Sequence, residues 1–505
     1  MLRTLLTTLA LTVPAHAAGG LNLAWEAEPR TVDPRFAVDA NSQYLENLLH
    51  CALVDFDKDG RAVPDLAKSW KWLSPTSLEV ELDPAARFGD GSKVTAADVK
   101  ATYDSMKRED VKNPSPRKGA FAKLKQVTAK SEGELLFDLE EPDSTFALNL
   151  VVGVLPARTA STVDMLTPEM PVVGCGPFKL KSFASTAIEL SRNESYGLGA
   201  APKTATVTIK IVKDETTRYA KLQAGEVDIV QNAIGRDKLT DIAKKNPSLK
   251  VVRRPGLNTV YLGFNMKDPL VGKLAVRQAI AQAIDREKII KYVLNGFAVP
   301  ATTLITPTDP FMSKSLVSPT LDLAKAKKLL DEAGFKDPDG DGKKPRFALT
   351  YKTTTDLTRI AVAKAIAADL RKVGIDVTVE SLEWGRFKAD VEAGKVQMWS
   401  LQWVGFKDPD IYRFAFATES FPPNGGNRGF YSNAELDKLL SLGRVENDPA
   451  KRADTYEKVQ KIVSDEMPYV FLWHEEIFAV VNDAIEGFEL FADGRFASLQ
   501  HAYRK

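Results

Sequence analysis

Cysteine and histidine are scarce in this 505-residue chain, which holds two of the first and four of the second. Two cysteines cannot make an all-cysteine zinc site, and no histidines share the spacing of an HExxH metal helix. The chain has no G-x-S-x-G elbow for a serine nucleophile. It also lacks a G-x-x-x-x-G-K-[ST] phosphate loop and a G-x-G-x-x-G fingerprint. Cys51 follows His50 directly, and adjacent side chains point apart, so they do not form a nucleophile and its base. Excess charge of one sign is missing too: 68 Lys and Arg face 67 Asp and Glu. That balance gives no broad field to draw in nucleic acid or an anionic membrane. No apolar run reaches the ~20 residues that span a bilayer. The chain therefore reads as a binder and not an enzyme, with no cofactor expected.

What is present begins with an address. Arg3, the apolar stretch Leu5 to Val13 and the small-x-small end Ala15-His16-Ala17 read as a signal peptide over residues 1–17, cleaved near Ala17. No cysteine sits at that cleavage point to carry a lipid, so a periplasmic protein is expected. Export to an oxidising compartment permits a Cys51–Cys175 disulfide. Two buried apolar thiols are the alternative, and spacing does not choose between them.

Strand and helix patterns alternate along the whole chain, which gives a mixed α/β class. Leu21 to Trp25 reads as a first strand and Gln43 to Leu49 as a short helix. Thr95 and Asp98 offer a capping box for a helix through Met106. Ala275 to Leu294 reads as one long amphipathic helix. The helix Leu357 to Val373, between strands Phe347 to Tyr351 and Ile375 to Val379, makes a unit of the parallel-sheet kind. Asp337 to Gly342 (DPDGDG) alternates like a calcium loop, but Ala348 occupies the twelfth position where an EF-hand needs glutamate. It reads as a solvated turn.

In order, these segments carry a series of motifs. Pro64-Asp65-Leu66-Ala67-Lys68-Ser69-Trp70 is followed by Phe88-Gly89-Asp90-Gly91 and Thr95-Ala96-Ala97-Asp98-Val99. Gly174-Cys175-Gly176-Pro177-Phe178, Leu222-Gln223-Ala224-Gly225-Glu226-Val227-Asp228 and Val276-Arg277-Gln278-Ala279 with Ala283-Ile284-Asp285-Arg286 come next. Through them the chain resembles the dipeptide/oligopeptide-type (family 5) extracellular solute-binding proteins of ABC importers. Locally the same residues are structural: Asp98 is read as a helix cap, Gly225 as a helix stop and Trp70 as a core aromatic.

The resemblance implies a two-lobed periplasmic-binding-protein fold with a hinge crossed twice. Lobe one is then residues 18–256, with an extra subdomain at about 43–170. Lobe two is 257–474, and 475–505 returns to lobe one. The implied function is capture of peptides, with oligopeptides favoured, and their delivery to the permease subunits of an importer. A non-peptide solute on the same fold (opine, sugar, metal chelate or haem) is the alternative. A monomer with no nucleic-acid partner is expected.

The same resemblance points to Trp384 and Trp403 as a ligand wall. It adds Tyr44 and Glu28 from lobe one, Asn258 at the first crossing and Glu475 after the second. Two departures accompany it. Where dipeptide binders place an aspartate for the peptide amine, three residues after the tryptophan, this chain has Phe406. The loop is one residue shorter, and Asp408 and Asp410 are the nearest carboxylates. Where an arginine takes the dipeptide carboxylate this chain has Thr353, with Lys352 and Arg359 as the nearest cations. Both departures argue against a strict dipeptide binder, since an unpartnered buried terminus costs ~2–5 kcal/mol.

Overall fold

The computed structural model describes residues 20–340 and 342–505. The signal-peptide reading and Asp341 of the acidic turn lie outside the described residues. An eleven-stranded sheet forms the spine of the molecule. Its centre is two long antiparallel strands, Leu249–Phe264 and Tyr469–Asn482. Leu249 to Pro255 pairs with Asn482 to Glu476, and after an irregularity Thr259 to Gly263 pairs with His474 to Tyr469. Pro255 has no N–H to give the ladder, and the register slips just after it, between Pro255 and Thr259.

On one side of this pair lie strands Ile229–Gln231, Leu21–Trp25, Thr206–Ile211, Ala187–Arg192 and Phe178–Ala184. On the other lie Met398–Trp403, Phe347–Thr354 and Ile375–Leu382. The last two run parallel, joined by the helix Leu357–Arg371, as the helix-strand pattern predicts. That helix stops at Gly374, whose φ of +83° a side chain would resist. Separate hydrophobic cores form on the two sides, so the one sheet serves two lobes.

A further core lies within the first lobe. It is covered by a four-stranded antiparallel sheet of Ala67–Ser74, Ser77–Leu82, Glu134–Leu139 and Leu124–Ala129. The helix Ala96–Met106 packs against it. The Asp98 carboxylate accepts from the Thr95 backbone N–H at 2.8 Å and from its hydroxyl at 2.7 Å, which starts that helix as expected. Cys51 and Cys175 meet in this core as a disulfide, with Cα atoms 5.1 Å apart. The bridge is thereby chosen over two thiols.

One helix differs from its pattern. The stretch read as a single helix from Ala275 is two, Leu274–Ala283 and Arg286–Tyr292. Asp285 interrupts it because its carboxylate caps the second helix, accepting from the Lys288 N–H at 2.9 Å. Its own N–H is taken by Asp369 at 3.0 Å. A short acid that can satisfy an orphan N–H favours a cap over a helix interior.

Candidate functional site in the cleft between the lobes

The strand Met398–Trp403 ends at the cleft, and its last residue is locked in place. Trp403 is buried, stacked on Tyr261 with ring centres 6.0 Å apart and edge-on to Phe414 at 5.7 Å. The Arg428 guanidinium lies 5.2 Å over its face. Trp403 therefore braces the wall from behind. The chain then turns at Gly405, with φ +65°, and the Gly405 N–H donates to the Asn258 side chain at 3.2 Å. Asn258 thus ties the loop to the crossing strand.

This loop reaches the opposite lobe. The Lys407 ammonium pairs with Asp493 at 2.7 Å and sits 3.8 Å over the Phe56 ring. Asp493 also faces Arg495 at 3.3 Å, and Arg495 pairs with Asp55 and donates to the Phe56 carbonyl. Burial holds the Lys407 ammonium below its usual range. Burial would raise Asp493, but Arg495 and Lys407 outweigh it and keep its carboxyl below the usual range. Nearby, burial and then Asp55 push Asp65 up to about 7.

Three cavities adjoin these elements. The first, of about 290 Å³, is lined by Arg236, Asp356, Arg359, Gln402, Trp473 and Glu475 among others. The second, about 310 Å³, lies between Tyr44, Phe56, Arg117 and Asp493 of the first lobe and Val404 to Lys407 of the second, without Phe406. The third, about 710 Å³, is walled by Arg61, Trp70 and Trp72 on one side and Phe406, Asp408 and Arg452 on the other. Lys407 borders both of the last two.

Of the residues singled out in the sequence, Tyr44, Phe406, Asp408, Arg359 and Glu475 line these spaces. Tyr44 packs against Trp25 and Phe496. Burial, then Asp493 and Glu26, push its hydroxyl up to about 12, so it is a neutral hydrogen-bonding group. Glu475 faces Arg236 at 3.7 Å. Asp408 is not a free acid: Arg452 holds both its oxygens, at 2.6 and 2.7 Å. Asp410 accepts from the Tyr456 hydroxyl at 3.2 Å and lines none of the three cavities. Lys352 is paired to Asp390 at 2.9 Å. Trp384 is 52% exposed, and it and Glu28 line none of the three.

Sequence reasoning did not find Lys407, Asp493 or Arg236. Trp70, read as a core aromatic, does pack against the core beneath its sheet, but it is half-buried and also borders the largest of the three cavities. Strand alternation gave a usable hint, because Trp70 and Trp72 share one face of their strand.

The family description "Bacterial extracellular solute-binding proteins, family 5 Middle" matches residues 61–422. The chain belongs to this family. The oligopeptide-binding protein AppA of Bacillus subtilis is 30% identical over 93% of this chain and 89% of its own. The solved structure of that protein with a nonapeptide superposes with a TM-score of 0.69 at 27% identity, covering 96% of this chain and 99% of the other. The glutathione-binding protein GsiB of Salmonella typhi is 27% identical over 96% of this chain and 94% of its own. As a family 5 solute-binding protein the chain is a binder with two lobes and not an enzyme. No helix among the described residues is long and apolar enough to cross a membrane.

Proposed function

We propose that this protein captures peptides, with oligopeptides favoured, between its lobes and delivers them to the permease subunits of an ABC importer. It works as a periplasmic monomer after removal of residues 1–17. The chain divides at 18–256, 257–474 and 475–505, with the two long strands as the hinge and the subdomain at about 43–170. The observation that carries this reading is the pair of cavities of about 310 and 710 Å³, each walled by both lobes and both bordered by Lys407. A guest in such a space touches both walls only when the lobes are together, so its contacts favour closure. The similarity to an oligopeptide-binding protein over nearly the full chain supports the peptide class.

In this reading Tyr44, Phe406, Arg359, Glu475 and the Asp408–Arg452 pair contact the ligand. Trp403 and Asn258 hold the wall that presents them. Lys352, Asp410, Trp384 and Glu28 contribute at most as the cleft changes width. Thermal unfolding with peptides of two to eight residues, sugars, opines, metal chelates and haem tests the reading. A peptide at a hundred times its Kd adds ~2.7 kcal/mol of stability. If no peptide raises the midpoint while another solute does, the peptide class is wrong.

A further inference from the structure

The cleft contains an ammonium group that belongs to the chain itself. Lys407 extends from the second lobe to the first, its Nζ 2.7 Å from the Asp493 carboxylate and 3.8 Å from the centre of the Phe56 ring. The charges around it explain why a cation rests there. Asp55, Asp65 and Asp493 are gathered against one guanidinium, Arg495. The neighbouring Arg117 is already engaged by Glu46 at 2.6 Å. Burial and Asp55 hold Asp65 toward its neutral form, so without Lys407 two carboxylates, Asp55 and Asp493, share the one guanidinium of Arg495, and the face of Phe56 adds the attraction of a ring for a cation. Lys407 borders both the cavity of about 310 Å³ and that of about 710 Å³.

We propose that Asp493 and the Phe56 ring form a subsite for a primary ammonium group of the ligand, and that Lys407 fills this subsite from within the chain until a ligand displaces it. Lys407 is on this account a specificity-determining residue. It screens Asp493 from neutral guests and from loose inorganic cations, and it yields to a guest whose own ammonium brings further contacts. The proposal rests on the cleft being the peptide site, and it places the amine at the first lobe, away from the Phe406 position. Asp408 is excluded from the role because Arg452 already holds both its oxygens.

The subsite can be probed without any peptide. Lys407→Ala removes three methylene groups and the ammonium, leaving a hole shaped for n-propylammonium. That ion raises the unfolding midpoint of Lys407→Ala more than 1-propanol at equal concentration and ionic strength does. The advantage disappears in Lys407→Ala with Asp493→Asn. Equal effects of ion and alcohol, or an advantage that survives loss of Asp493, overturn the proposal. Titration calorimetry with trialanine and N-acetyl-trialanine then reads the role in selection. Lys407→Ala tightens the free-amine peptide by about tenfold, the scale of one charge-assisted hydrogen bond, and leaves the acetylated peptide unchanged. An acetylated peptide with one lysine separates a side-chain source of the ammonium from the amino terminus. Equal weakening of all three peptides shows Lys407 to be a clasp for closure, and the proposal falls. If propylammonium rescues while no peptide binds any variant, the peptide reading fails and the cation subsite holds.

Discussion

Both lobes hold ion pairs and ring clusters, but the first adds a covalent bridge and its rings meet edge-on or tilted, whereas the second has rings stacked face to face. Cys51–Cys175 lies in the core under the four-stranded sheet, and the first lobe also holds the ion pairs Asp33–Arg35 at 2.7 Å and Glu46–Arg117 at 2.6 Å. In the second lobe Tyr261 stacks on Tyr469 at 4.0 Å and on Trp403 at 6.0 Å, and Phe416 tilts against Tyr469 at 4.7 Å. The same lobe also holds the ion pairs Asp408–Arg452 and Lys352–Asp390. Charged pairs demand particular angles and so fix orientation. Rings supply broad apolar contact that depends less on angle. Ion pairs thus fix angles in both lobes, and the lobe that sends Lys407 adds a stiff stack of rings behind a short loop.

Removing the bridge tests this contrast most strongly. Cys51→Ala with Cys175→Ala frees a loop spanning 124 residues, with a cost of ~4–5 kcal/mol in the chain-entropy model. Hydrogen exchange should quicken across residues 51–175 and stay unchanged around Tyr261 and Tyr469. Uniform loss in both lobes would show that they are not independent. Next in size is Asp408→Ala, which leaves the buried Arg452 guanidinium unpaired at a cost of about 4 kcal/mol. That loss should appear in the second lobe and be smaller in Asp408→Ala with Arg452→Met, as read by denaturant unfolding.

The smallest effect concerns pH. Burial pushes both His50, in the first lobe, and His474, in the crossing strand, down to about 4. Their unfolded forms hold a proton up to about pH 6.5, so stability rises with pH between about 4 and 6.5 and is lost on acidification. Glu46 has the opposite sign. Burial, only partly offset by Arg117, pushes it up to about 7, so its contribution falls as pH rises from about 4.5 to 7. Each shift corresponds to on the order of 3 kcal/mol at most. Asp65, raised to about 7 in the same lobe, adds to Glu46, so the first lobe should lose stability as pH rises from about 4.5 to 7 while the crossing strand gains it. Glu46→Gln should flatten that dependence, leaving Asp65 against His50, as followed by exchange rates at pH 4 to 7.

Much of the fold was legible because its signals are local. Capping at Thr95 and Asp98 acts over three residues, and the parallel unit around Leu357–Arg371 follows from periodicity. The split at Asp285 was missed because a carboxylate inside an apolar pattern can serve as a cap or as a surface residue. The site was less legible. The cleft positions of Tyr44, Phe406, Arg359 and Glu475 came from family resemblance, while the states of Asp408 and Lys352 came from partners that the sequence does not mark.

By itself the sequence determined the alternation of elements, their caps and stops, the near-neutral charge and the family. Each depends on neighbours a few residues apart, or on composition summed over the chain. Only the tertiary structure decided that Asp408 is neutralised by Arg452, 44 residues away, and that Lys407 meets Asp493, 86 residues away across two lobes. Coulomb attraction and burial act through space, so a charged side chain's partner is set by how the sheet brings distant segments together.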